Sequence, residues 1–169
     1  MQRKIEEIIR VDQAGELGAI NIYKGQLAVL KRKKLAPTIR KMLLQEEEHY
    51  EKFSALLLQH KVRPTLLSPF WKLGAFGLGI FTASLGPKAT MACTEAVEEG
   101  IVKHYLDQSY FLKNKNKELS DLTKKLASEE EDHMRISKDH GTGNNIGHKI
   151  LKFGIKKISK IAIRLSEKI

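Results

Sequence analysis

Two short segments of the sequence each place a glutamate three residues before a histidine. The first pair is Glu46 and His49, and the second is Glu130 and His133. Residues three apart share one face of an α-helix, so each pair could bind a metal ion from one side. The pattern is most informative because it occurs twice and because both pairs interrupt an apolar helical face.

Two further glutamates, Glu16 and Glu98, also interrupt apolar helical faces. Glu16 precedes Glu46 by 30 residues, and Glu98 precedes Glu130 by 32. Four carboxylates in one core are strongly unfavourable unless cations neutralise them. Two divalent ions would balance the four charges, and four carboxylates with two imidazoles suit iron or manganese better than zinc. The sequence therefore predicts a carboxylate-bridged di-iron site with these ligands: Glu16, Glu46, His49, Glu98, Glu130 and His133.

Other acids lie close to the predicted ligands. A run of glutamates on a helix is usually a solvated face, and this interpretation is favoured for Glu47, Glu48, Glu129 and Glu131. Glu95 and Glu99 neighbour Glu98, so the apolar face alone leaves the choice of ligand on that helix less certain. Asp12 and Asp139 could accept the second N–H of a metal-bound imidazole, with surface caps or ion pairs as the alternative.

Three tyrosines, Tyr23, Tyr50 and Tyr105, lie on the same apolar faces. A phenol beside two irons could take part in redox or proton transfer. Ordinary core packing with a satisfied hydroxyl is the preferred interpretation for Tyr23 and Tyr50.

Periodicity indicates an all-α protein in which two helical hairpins, about 3–61 and 87–140, position these side chains. Each hairpin carries one glutamate on its first helix and Glu-x-x-His on its second, and together they predict a ferritin-like four-helix bundle. In the second hairpin the polar turn at 113–117 lies midway between the ligands. In the first, the turn near 33–36 lies past the midpoint, a mismatch of about one helical turn.

The length of 169 residues predicts a single domain, 1–169, with its own core. Apolar residues make up 41% and charged residues 30%, which excludes a disordered chain and an integral membrane protein. One cysteine excludes an intramolecular disulfide and makes zinc-finger or iron–sulfur chemistry untenable. The first residues resemble neither a secretory signal nor a transit peptide.

Two segments outside the hairpins indicate contact with a membrane surface. The stretch at about 66–85 is a short apolar helix that is too short to span a bilayer. The C-terminal helix at about 146–168 is basic and amphipathic, as expected for a helix in the membrane interface, although a helix packed on the bundle with a lysine-rich outer face is the alternative. Small residues in the first segment (Gly74, Gly77, Gly79 and Ala83) would either leave room for an isoprenoid tail or allow close helix packing. The net charge of +10 does not indicate nucleic-acid binding, because no recognition motif accompanies it.

The chain resembles the demethoxyubiquinone hydroxylase family over nearly its whole length. The resemblance is carried by six segments: Arg10-Val11-Asp12-Gln13-Ala14-Gly15-Glu16, Glu46-Glu47-Glu48-His49, Met91 to Glu99, His104-Tyr105, Glu130-Glu131-Asp132-His133 and Ala162 to Glu167. It implies the same six metal ligands and selects Glu98 over Glu95 and Glu99. Many relatives have histidine at the position of Gln13, which is not a ligand.

The resemblance implies a di-iron monooxygenase that hydroxylates the ring of a polyprenyl demethoxyquinol with O2 in late ubiquinone biosynthesis. It implies NADH as the electron donor, and we name His104 and Tyr105 as candidates for proton and electron relay. No dinucleotide-binding fingerprint is present, so no cofactor ligand is expected beyond those of the metals. The expected setting is a peripheral membrane protein on the cytoplasmic face of a bacterial inner membrane, acting as a homo-oligomer or with partner proteins of ubiquinone biosynthesis.

Two alternatives remain at this point. A ferritin-like iron oxidase or peroxide-reducing di-iron protein would share the ligands but would not need the apolar segment or the basic last helix. A non-enzymatic, membrane-docked helical adaptor would bind no iron and would fold fully after Glu98→Ala.

Overall fold

A computed structural model describes residues 1–142 and 146–168 of the chain. These residues form six helices and no strand, which confirms the predicted all-α class. The helices are α1 Gln2–Leu30, α2 Ala36–Gln59, α3 Ser68–Ser84, α4 Pro87–Leu112, α5 Lys117–Asp139 and α6 Ile146–Lys168. Their order is the predicted ferritin-like one: two long hairpins, a short apolar helix between them and an amphipathic helix after them. The predicted break at 141–145 begins at Gly141, and residues 143–145 lie outside the described residues.

The chain divides into two compact units, each containing one helical hairpin. The first unit comprises Met1–Thr90 and Lys160–Ile169, and the second comprises Met91–Ser159. The first therefore holds α1, α2, α3, the first turn of α4 and the end of α6. The second holds the rest of α4, all of α5 and residues 146–159 of α6.

Helix ends are set by local chemistry that the sequence makes visible. Pro37 lies in the first turn of α2, where its missing N–H costs nothing. The Asn116 side chain caps α5 by accepting a hydrogen bond of 3.0 Å from the Leu119 backbone N–H. Gly86 and Gly141 follow α3 and α5 with φ of +104° and +80°, which a residue with a Cβ rarely adopts. Glycine therefore ends both helices.

In the first unit, α1 packs against both α2 and α3. The predicted apolar face of α1, which contains Ile9, Glu16 and Tyr23, is buried. A second buried face packs on α3, where a Cβ built on Gly25 would lie 2.2 Å from the Phe76 carbonyl oxygen and one on Gly79 would lie 2.1 Å from the Ile22 carbonyl oxygen. The two backbones are thus in direct contact, so Gly79 serves close helix packing.

In the second unit, two serines form hydrogen bonds between α4 and α5 near the turn that connects these helices. The Ser109 hydroxyl donates to the Ser120 carbonyl at 3.0 Å, and the Ser120 hydroxyl donates to the Ser109 carbonyl at 2.9 Å. Glu98 lies eleven residues before Ser109, and Glu130 lies ten residues after Ser120. The ligands therefore stand at nearly equal depth, as the position of the turn predicted.

The helices α3 and α6 each expose apolar side chains. On α3 these are Phe70, Leu73 and Phe81, which share one helical face. On α6, Ile155 is buried, whereas Ile158 and Leu165 are exposed. Apolar and basic residues are consequently interleaved on the outer side of α6. Among the described residues, no helix has both the length and the apolarity needed to cross a bilayer.

Candidate metal centre

Three predicted ligands come together in the first unit. Glu16 from α1 and Glu46 and His49 from α2 are fully buried. One donor atom of each lies within 4.8 Å of the donor atoms of the other two. The His49 Nδ1 is 3.7 Å from Glu46 Oε2 and 3.9 Å from Glu16 Oε2. This first triad could hold a metal ion.

The first triad forms although its hairpin turn is displaced from the midpoint between its ligands. The helices α1 and α2 are joined through residues 31–35, whose centre lies two residues beyond the midpoint of Glu16 and Glu46. Despite the expected mismatch of about one helical turn, the donor atoms of Glu16 and Glu46 lie within 4.8 Å of each other. Spacing alone therefore underestimated how closely the carboxylates approach each other.

The other three predicted ligands come together in the second unit. Glu98 from α4 and Glu130 and His133 from α5 are at most 2% exposed. Their donor atoms also lie within 4.8 Å of one another, and His133 Nδ1 is 3.0 Å from Glu130 Oε2. This second triad has the same composition as the first: two carboxylates and one imidazole.

The donor chemistry of each triad suits a cation. Two buried carboxylates at such short range repel each other, because the low dielectric of a protein core screens their charges poorly. A divalent ion would neutralise both, and a neutral imidazole nitrogen would complete a mixed oxygen and nitrogen set of the kind that iron and manganese accept. The residues present therefore fit a metal ion in each triad.

Burial separates the ligands from their acidic neighbours. Glu48 and Glu131 are exposed, while Glu47 and Glu129 are partly exposed and pair with Lys24 at 2.9 Å and Lys125 at 3.6 Å. This confirms the prediction that these four acids lie on solvated faces. On α4 the structure brings Glu98, and neither Glu95 nor Glu99, to the second triad.

Glu95 and Glu99 are instead held by lysines of α6, a feature that the sequence analysis missed. Lys152 donates a hydrogen bond to Glu95, and Lys156 Nζ lies 2.6 Å from Glu99 Oε2. Burial alone would raise the pKa of the Glu95 carboxyl, but hydrogen bonds from Lys152 and Thr142 outweigh it, and its pKa lies below the usual range. The matching four-residue spacings on α4 and α6 are the signal that could have revealed the pairing.

The side chains predicted for relay and support occupy different environments. Tyr105 is buried, whereas His104 is half-buried, with its Nε2 2.8 Å from the Gln108 side-chain nitrogen. Tyr23 is a core residue whose hydroxyl lies 4.0 Å from the Met42 sulfur, as expected for packing. Tyr50 is half-buried.

Asp12 and Asp139, the two aspartates considered as hydrogen-bond partners of the imidazoles, differ in burial. Asp12 is buried one turn before Glu16, which is compatible with a supporting role. Asp139 is exposed at the last residue of α5, six residues beyond His133, which favours the surface alternative. Gln13, beside Asp12, is buried and donates to the Ser54 hydroxyl at 3.4 Å. Gln13 therefore bridges α1 and α2 within the first unit.

Comparisons with known proteins point to one family. The family model described as "Ubiquinone biosynthesis protein COQ7" matches residues 3–166. The Bos taurus protein named "NADPH-dependent 3-demethoxyubiquinone 3-hydroxylase, mitochondrial" is 44% identical over 98% of this chain and 78% of its own length. The Rhodospirillum rubrum "3-demethoxyubiquinol 3-hydroxylase" is 43% identical over 98% of this chain and 78% of its own. A Caenorhabditis elegans protein with the same name as the bovine one is 41% identical over 99% and 92%.

Proposed function

The chain belongs to the ubiquinone biosynthesis protein COQ7 family, and we infer that it is a monooxygenase that hydroxylates the ring of a polyprenyl demethoxyquinol. The family match over residues 3–166 is the observation that carries this conclusion. The resemblance to the demethoxyubiquinone hydroxylases is confirmed, and with it the enzymatic class. The donor chemistry of each buried triad, two carboxylates and one imidazole, supports this proposal.

We propose that the six residues of the two triads hold two iron ions. Four carboxylates would balance the charge of two ferrous ions, and the imidazoles of His49 and His133 would add one neutral nitrogen to each. When bound, the iron pair supplies the capacity to bind and activate O2. The chain's contribution is to keep the six side chains buried, which would exclude bulk water from the place where the quinol ring is hydroxylated.

The reaction needs a source of electrons and a route for protons. One oxygen atom of O2 enters the ring and the other leaves as water, which consumes two electrons and two protons. We propose a reduced nicotinamide as the electron donor: the family resemblance implies NADH, and the bovine and nematode relatives are named as NADPH-dependent. Tyr105 and His104 follow Glu98 on α4, and we propose that they pass protons towards the second triad.

The quinol substrate carries an isoprenoid tail, so the enzyme must reach it at a membrane. We propose that α3 and α6 lie on the membrane surface as peripheral contacts. Phe70 and Leu73 on α3 are 69% and 76% exposed, and Phe153 on α6 is 60% exposed among basic residues. We place the protein on the cytoplasmic face of a bacterial inner membrane, where a homo-oligomer or partner proteins of ubiquinone biosynthesis could assist substrate transfer.

A reconstitution experiment tests the proposed activity. The purified protein is loaded anaerobically with Fe(II) and mixed with a demethoxyquinol, O2 and either NADH or NADPH. The mass of the quinone product is then measured by mass spectrometry. We expect two irons per chain and a product heavier by one oxygen atom. Glu98→Ala should give neither. If iron is oxidised but the quinol is unchanged, the ferritin-like alternative is favoured. If no iron binds, the adaptor alternative is favoured.

A further inference from the structure

The first half of α6 is attached to α4 by two adjacent ion pairs. Glu95 and Glu99 stand one turn apart on α4, and Lys152 and Lys156 stand one turn apart on α6. Lys152 pairs with Glu95 and also donates to the Thr142 hydroxyl at 3.0 Å. Thr142, just before the undescribed residues 143–145, thus strengthens the contact from the chain that leads into α6.

The Lys152–Glu95 pair is shielded from water. The side chains of Lys152 and Glu95 are only 19% and 12% exposed. By contrast, the Arg135–Asp132 pair on α5, which neighbours the ligand His133, is 70% and 62% exposed. Exposed pairs of this kind contribute little, whereas a shielded charge that loses its partner is strongly unfavourable. The two pairs therefore differ in what their removal should do.

Glu95 lies one helical turn before Glu98, on nearly the same face of α4. Glu99 adjoins Glu98 in sequence but lies about 100° around the helix, so Glu95 is the nearer acid on that face that could compete with Glu98 for a cation in the second triad. Lys152 already satisfies that carboxylate and neutralises its charge. Without Lys152, a largely buried negative charge would be left on α4 one helical turn from Glu98.

We propose that Lys152 is a positioning residue of the metal centre. From α6 it binds the carboxylate of Glu95 on α4, so that Glu98 is the only acid of α4 that serves the second triad. The inference rests on the proposed metal site and deepens it. It also divides the basic residues of α6 into two groups. Lys152 and Lys156 are engaged with α4, whereas Lys157, Lys160 and Arg164 are exposed and available to an anionic surface.

Cobalt(II) titration provides a test that does not depend on activity. The visible absorption of Co(II) reports ligand number and geometry, and the titration gives stoichiometry and affinity. We expect two Co(II) per chain for the wild type and for Arg135→Met, the control variant that breaks the exposed Arg135–Asp132 pair. Lys152→Met should weaken one of the two sites at least tenfold and change its spectrum. Lys152→Arg should retain the wild-type affinity and spectrum, because it keeps the positive charge.

A charge-removal variant separates positioning from simple packing. In Lys152→Met combined with Glu95→Gln the uncompensated carboxylate is gone, so we expect the wild-type stoichiometry and spectrum to return. Glu95→Gln alone should also retain both sites, and the loss of either site in this variant would overturn the inference even if Lys152→Met fails to fold. The inference is overturned if Lys152→Met matches the wild type, or if the double variant is as impaired as Lys152→Met. A wild type that binds no Co(II) would overturn the proposed metal site as well.

Discussion

Ser109 and Ser120 exchange hydrogen bonds across the second hairpin, each hydroxyl donating to the other residue's carbonyl oxygen, at 3.0 and 2.9 Å. This reciprocal contact fixes the register of α4 against α5. Because the register is set near the turn, Glu98 and the Glu130–His133 pair arrive at one level about ten residues away. This small polar contact therefore favours the alignment of the second triad.

Removing one of these hydroxyls should loosen the hairpin. Ser109→Ala loses two hydrogen bonds and leaves the Ser120 hydroxyl with fewer partners in a buried place, so we expect about 1–3 kcal/mol of destabilisation. Urea denaturation of the metal-free protein measures it. Ser128→Ala, at an exposed position of α5, serves as the control and should be nearly neutral. Equal stability of the two variants would contradict the assigned role.

Adjacent glutamates on α5 should respond in opposite ways. Glu130 is fully buried in the second triad, whereas Glu131 is exposed. We expect Glu130→Gln to lose at least one iron per chain and to slow hydroxylation at least 100-fold. Glu131→Gln should keep the iron content and the hydroxylation rate of the wild type. In the absence of metal, Glu130→Gln should raise the melting temperature, because it removes repulsion between buried carboxylates. A lower melting temperature for the metal-free variant would argue against that repulsion.

The crossing of α1 and α3 should tolerate no side chain at Gly79. Gly79→Ala would place its Cβ against the Ile22 carbonyl oxygen, so the helices must separate, and we expect a loss of about 1–3 kcal/mol. At Gly77, where nothing lies within 4 Å of an added Cβ, alanine should instead stabilise α3 by about 0.5–1 kcal/mol. Thermal denaturation compares the two. Similar effects at both positions would contradict the close packing.

The ion pair of Glu95 should make stability depend on pH in acid. The pKa of this carboxyl is lowered in the folded state from an ordinary value of 4.5, so the unfolded chain takes up the proton first as pH falls. The stabilisation is therefore complete above about pH 4.5 and is lost as pH falls through the lower, folded pKa. The wild type should exceed Glu95→Gln in unfolding free energy at pH 7. We expect this difference to shrink by pH 3, as measured by denaturation at several pH values.

The exposed apolar face of α3 should govern binding to lipid vesicles. Leu73→Ser removes a large apolar contact with the bilayer, and we expect about tenfold weaker binding to vesicles containing anionic lipid. Leu58→Ser, at an equally exposed leucine near the end of α2, provides the control and should bind like the wild type. Co-sedimentation measures both. Equal weakening by the two substitutions would indicate nonspecific adsorption rather than a defined contact through α3.

Much of the fold could be predicted from local patterns. Helical periodicity and the polar turn at 113–117 predicted the helices and their ends closely, because these depend on nearby residues. Five of the six candidate ligand positions followed from carboxylates and imidazoles that interrupt apolar faces, and the family resemblance selected the sixth, Glu98. A buried charge requires a partner wherever it lies, so the residue types themselves indicated metal.

The tertiary structure alone decided which residues from distant parts of the chain contact each other. The sequence by itself determined the all-α class, the two hairpins and the composition of the two triads. It left open which acid of α4 serves as a ligand until family resemblance was considered, and it offered two interpretations for the small residues of α3. The structure brings Glu98 to the second triad, assigns Glu95 to Lys152 and presses Gly79 against α1. These outcomes depend on how helices approach one another, and periodicity within one helix carries no information about the distance to its neighbour.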